Sequence, residues 1–75
     1  MSLDPREEME ELQRKADRIS SLILNSEYPL VEIAMERHRL REEFLRRYPD
    51  RIWLYDLIYE SRFERLIAQW REEAD

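Results

Sequence analysis

Prolines stand at positions 5, 29 and 49, and glycine stands nowhere in the 75 residues. Without glycine no turn has cheap access to positive φ. The residue before a proline is pushed out of helical geometry. A chain punctuated in this way reads as three helices, over about 5–24, 29–48 and 51–73. Asp4-Pro5 gives the first an N-cap acid and a proline at its first position, with Glu7 placed to complete a capping box. Asn25-Ser26 ends it, Tyr48-Pro49 ends the second, and Asp50 is placed to cap the third. Met1-Ser2-Leu3 has no periodic role and reads as a disordered or added leader. The two Tyr-Pro pairs are punctuation and not a repeat.

Apolar spacing supports the same division. Met9, Leu12, Ala16, Ile19 and Ile23 step by three and four, which makes a seam on one face of the first helix. The second carries Leu30, Ile33, Ala34, Leu40, Phe44, Leu45 and Tyr48 on one side. The third carries Ile52, Tyr55, Tyr59, Phe63, Leu66, Ile67 and Trp70. Helices of about 20 residues are roughly 30 Å long, and short links make successive helices antiparallel neighbours. The expected fold is therefore all-α: one domain, an antiparallel three-helix bundle completed by homo-oligomerisation.

Composition narrows the function classes. No apolar run approaches the roughly 20 residues needed to span a bilayer, and there is no basic-then-apolar leader. Cysteine is absent, which removes disulfides and thiolate chemistry. A single histidine, His38, leaves little for a nitrogen-ligated metal. The expectation is a soluble, cytoplasmic protein with no metal and no cofactor. Net charge is −5, against a general nucleic-acid binder. Residues 37–51 nevertheless hold six arginines against Glu42, Glu43 and Asp50. Of these arginines, Arg39, Arg46 and Arg47 point away from the expected core. Glu42 and Glu43 stand four residues before Arg46 and Arg47, so helix-stabilising pairs explain the run.

Polar residues on the apolar faces are more informative. At 100° per residue, Arg37 and Arg41 lie on the centre line of the second helix's apolar face, and Asp56 lies inside the third helix's stripe with Glu60 at its edge. In a hairpin turning at Pro49, partners have numbers summing to about 99, which brings Arg41 within reach of Asp56. An isolated interior charge costs several kcal/mol, so these groups should pair in a buried or half-buried cluster of Arg37, Arg41, Asp56, Glu60 and His38. The simplest role is a pin that fixes helix register. The sharper one is an anion pocket, two arginines gripping a carboxylate or phosphate while Asp56 or Glu60 handles a proton. Helical mutases of the chorismate type use a polar pocket within an all-α dimer, a likeness of fold type alone.

Two acidic patterns have partial metal-site spacing. Glu7-Glu8-Met9-Glu10-Glu11 matches the EExxE half of the all-α nucleotide pyrophosphohydrolase pattern, but its ExxD half is missing from the next helix. The helix dipole accounts for acids in a first turn. The Glu-x-x-His signature of di-metal bundles fails because Met35 precedes His38 by three.

The third helix has a second apolar face, Trp53, Leu54, Leu57 and Ile58, confined to its first two turns. Below it the same side turns polar through Ser61, Arg65, Gln69 and Glu72. A three-helix bundle has one inner side per helix to cover, and Met9 and Leu12 can shield only part of the surplus. A core below about 80 residues typically nets 3–5 kcal/mol and needs help. An apolar patch with tryptophan at its centre has the anatomy of an interface hot spot. The leading expectation is a small interaction or oligomerisation module that uses this patch against a second copy or a helical partner. The alternative is a small-anion-binding or mutase-like helical enzyme built on Arg37, Arg41 and Asp56.

Overall fold

A computed structural model describes residues 4–71. The leader reading of Met1-Ser2-Leu3, the expected end of the third helix near Glu73, and Glu72 on its polar side lie outside the described residues. Three helices make up the structure, and no strand occurs among the described residues. Helix α1 is Pro5–Leu24, α2 is Leu30–Arg47, and α3 covers 52–70 after a single 3₁₀ turn, Pro49–Arg51.

Local chemistry sets each boundary. The Asp4 carboxylate accepts from the Arg6 N–H at 2.9 Å, capping α1 beside the proline at its first position. Asn25 leaves helical geometry, and its Oδ1 accepts from the Glu27 N–H at 3.1 Å in an Asx turn. Tyr48, forced out of helix by Pro49, sits at φ −136° and ψ 63°. Every turn is made without positive φ among the described residues. Asp50 lies inside the 3₁₀ turn and makes no capping hydrogen bond, so the turn itself, closed by the Arg51 N–H on the Tyr48 carbonyl at 2.9 Å, starts α3.

The core is one cluster. Leu12, Ala16, Ile19 and Ile23 come from α1, Ile33, Leu40 and Phe44 from α2, and Tyr55 and Phe63 from α3. Burial of each large side chain is worth roughly 1.5–3 kcal/mol. Phe44 and Tyr55 join α2 to α3 with ring centroids 5.2 Å apart. Three expected core positions stay exposed: Leu30, Ala34 and Trp70. Leu30 and Trp70 are terminal residues of α2 and α3.

One irregularity shapes α3. Asp56–Glu60 is a π-helical turn, in which the Ser61 N–H bonds to the Asp56 carbonyl five residues back. Tyr55 and Phe63 are both buried. Eight residues of regular α-helix overshoot two turns by about 80°, and the wider turn takes up part of that excess. It keeps both aromatics on the inner face, and it presents Asp56 and Glu60 to α2.

Candidate functional site

Two features of α3 compete as functional sites: the polar seam it shares with α2, and the apolar face on its outer side. In the seam, the Arg41 guanidinium grips Asp56 with two bonds, Nε to Oδ1 at 2.9 Å and Nη2 to Oδ2 at 2.8 Å. One turn along, Arg37 Nη2 donates to Glu60 Oε1 at 3.0 Å. Its guanidinium also lies 5.8 Å from the centre of the Phe63 ring, a cation–π distance. The Tyr55 hydroxyl is 3.5 Å from the other Glu60 oxygen.

Burial divides the seam. The Arg37 and Glu60 side chains are 20% and 19% exposed, while Arg41 and Asp56 are 37% and 42% exposed. Arg37 Nε is buried without a hydrogen-bond partner. The Arg41 hydrogen bonds hold the Asp56 carboxyl below the usual carboxylate range. Burial, then the Glu60 charge, pushes the Tyr55 hydroxyl well above its ordinary range. The structure thus brings together Arg37, Arg41, Asp56 and Glu60. It does not bring His38 to them: that side chain is exposed on α2, with Nε2 3.9 Å from Glu42. The partly buried place in the cluster expected for it is not found, because position 38 faces solvent.

On the outer side, Trp53 is 62% exposed, Leu57 64% and Ile58 42%. Leu54 is half-buried. Met9 and Gln13 of α1 approach this side without covering it. They leave a groove of about 180 Å³ with Leu54, Ile58 and Tyr59 opposite and Phe44 and Tyr55 at its base. A wider groove of about 400 Å³ runs between α1 and α2 over Ile19 and Leu40. Ion pairs bridge it: Lys15 with Glu43 at 2.8 Å, and Arg18 with Glu36. Neither groove is lined by Arg37, Arg41 or Asp56.

Several polar contacts carry no local sequence signal. Arg71 donates from Nε to the Ile23 carbonyl at 2.8 Å and from Nη2 to the Asn25 carbonyl at 2.7 Å, and it also reaches the Tyr28 carbonyl. It thereby caps the open C-terminal end of α1, which has no basic residue of its own in the last turn. Tyr28 donates to Glu36 at 2.8 Å. The short i,i+4 pairs could be read from spacing, but Arg71 on α1 depends on how the helices meet.

Among the described residues no group of three or more His, Asp or Glu side chains is placed to hold a metal ion, and no helix is long and apolar enough to cross a membrane. Comparison with protein-family models, curated proteins and solved structures finds no match to this chain.

Proposed function

We propose that this chain is a small protein–protein interaction module, an antiparallel three-helix bundle that self-associates through Trp53, Leu54, Leu57 and Ile58. The observation that carries the reading is that Trp53 and Leu57, one turn apart, are both more than half exposed beside Ile58. A soluble monomer gains nothing from holding a tryptophan and two aliphatic side chains in water on adjacent turns. Tryptophan at the centre of such a patch is the residue type most often found carrying interface energy. In this reading Arg41–Asp56 and Arg37–Glu60 fix the register of α2 on α3, and so hold the outer face in place.

Sedimentation equilibrium or light scattering tests it, comparing wild type with Leu54→Glu/Ile58→Glu. The expected outcome is a wild-type dimer and a folded, monomeric variant. A wild-type chain that stays monomeric at millimolar concentration with a stable fold would remove the reading.

The second reading, a small-anion site or a mutase-like enzyme, draws on the buried Arg37 Nε that lacks a hydrogen-bond partner. Thermal shift against carboxylate dianions and phosphates separates the two. A ligand at 100 times its dissociation constant adds about 2.7 kcal/mol. A shift abolished by Arg37→Met and Arg41→Met would support a pocket, and no shift across the panel would count against it.

A further inference from the structure

The charges along α3 and in the turn before it are unevenly satisfied. Asp56 is held by Arg41, Glu60 by Arg37, and Arg62 stands 4.0 Å from Asp17. Asp50, Arg51 and Arg65 are exposed and make no ion pair among the described residues. Glu64 reaches Arg37 at 4.0 Å with its side chain 71% exposed.

Asp50 and Arg51 precede the apolar face, and Glu64 and Arg65 follow it. Leu54, Leu57, Ser61 and Arg65 follow one another at steps of three or four residues, which makes one stripe along α3, and Asp50 lies just before it in the 3₁₀ turn. The π turn absorbs the drift of the two consecutive four-residue steps. From the Asp50 turn onward the order is an acid, then apolar groups, then a base at the C-terminal end. Such an order is complementary to itself only when reversed.

We infer that two copies of the chain dock by α3, crossing antiparallel about a two-fold axis at Leu57 and Ile58. This rests on the self-association proposed above and gives it a geometry. Asp50 of each copy meets Arg65 of the other, Arg51 meets Glu64, and Leu54 packs onto Ser61. An isologous contact repeats every pair twice, so each match counts double. Ser61 suits the close approach. Its side chain is small, and its hydroxyl donates to the Leu57 carbonyl at 2.6 Å, so the partner would bury no unsatisfied donor. A parallel pair would set Asp50 against Asp50 and Arg65 against Arg65.

The chain has no cysteine, so engineered thiols report geometry cleanly. Leu54→Cys and Ser61→Cys are prepared singly, mixed in equal amounts and oxidised mildly, after sedimentation of the wild type. The expected result is a wild-type dimer and a disulfide that joins position 54 of one chain to position 61 of the other, in excess over like-with-like products. Arg65→Asp should weaken the dimer about tenfold, and Asp50→Arg/Arg65→Asp should restore it to within about threefold.

The outcomes separate cleanly. A wild-type dimer giving only 54–54 and 61–61 disulfides overturns the antiparallel crossing and leaves self-association standing. A dimer giving no disulfide at either position places the interface elsewhere and overturns it as well. A wild-type monomer removes both the crossing and the reading beneath it.

Discussion

Arg41 and Asp56 face each other across α2 and α3 through two parallel hydrogen bonds, at 2.9 and 2.8 Å. Both side chains are more than a third exposed, so water screens the pair, and its worth is about 0.5–1 kcal/mol. Arg41 holds the folded-state pKa of Asp56 below its unfolded value. That stability is therefore present above about pH 4 and is lost as pH falls through the lower, folded-state pKa. Asp56→Asn should cost about 0.5–1 kcal/mol at pH 7, and the gap between variant and wild type should close as urea unfolding is followed down to pH 2.5. A gap that stays constant would mean the carboxylate charge plays no part.

Arg37 and Glu60 form the better-buried pair, and breaking it should cost more. Arg37→Met leaves Glu60 facing only the long Tyr55 contact and should destabilise by about 1–2 kcal/mol. Arg37→Met/Glu60→Met should recover most of that loss, because two packed apolar groups replace two desolvated charges and an orphaned Nε. A double-mutant cycle on thermal unfolding reads the coupling directly. Additive losses would show the two residues to be independent.

Helical periodicity and a turn at Pro49 are enough to set Arg41 opposite Asp56, because a single short link leaves little freedom in how α3 lies on α2. The same reasoning separates Trp53 and Leu57 from the buried Tyr55, since neighbours along a helix point apart. The π turn at Asp56–Glu60 could not be read, because Ile52–Tyr59 is apolar in nearly every direction and fits several angular registers. The side His38 faces is illegible for a related reason: it sits at the edge of an apolar arc, where a small rotation of α2 decides between core and solvent. Arg71 was invisible because its acceptors are backbone carbonyls, and every residue offers one.

Arg71 predicts its own effect. Its guanidinium gives hydrogen bonds to carbonyls of Ile23, Asn25 and Tyr28, ties the end of α3 to the α1–α2 link, and satisfies acceptors left over at the end of α1. Arg71→Met should cost about 1–3 kcal/mol. In a domain of this size that lowers the midpoint of thermal unfolding by about 4–8 °C per kcal/mol. Arg71→Lys should recover little, since an ammonium lacks the planar fork that spans several carbonyls. A lysine variant as stable as wild type would refute the capping role.

Tyr55 separates packing from hydrogen bonding. Its ring lies against Phe44 and Tyr59, at 5.2 and 5.5 Å, while its hydroxyl makes one contact at 3.5 Å. Tyr55→Phe should therefore change stability by under about 1 kcal/mol at pH 7, whereas Tyr55→Ala should cost about 3–5 kcal/mol. Alkaline pH then brings out the hydroxyl. Burial raises its folded pKa above the ordinary value of 10.0, so the stability it contributes is complete below that pH and lost as pH rises beyond it. Wild type should weaken relative to Tyr55→Phe above about pH 10. The comparison also cancels Tyr28, whose hydroxyl is raised by its bond to Glu36.

The two tryptophans distinguish the ends of α3 optically. Trp53 and Trp70 are both more than half exposed in the single chain, so each should emit as a solvated indole. Only Trp53 lies on the face proposed to meet a second copy. In Trp70→Phe, where Trp53 is the sole reporter, emission should move to shorter wavelength as concentration rises from sub-micromolar to hundreds of micromolar. In Trp53→Phe, Trp70 should keep its emission over the same range. Trp53→Phe should also weaken association, because phenylalanine covers less of the patch, and Trp53→Ala should weaken it further. A blue shift confined to Trp70 would move the contact to the other end of the molecule, where Leu24, Leu30 and Val31 are also exposed. The face around Leu57 would then have to be given up as the interface.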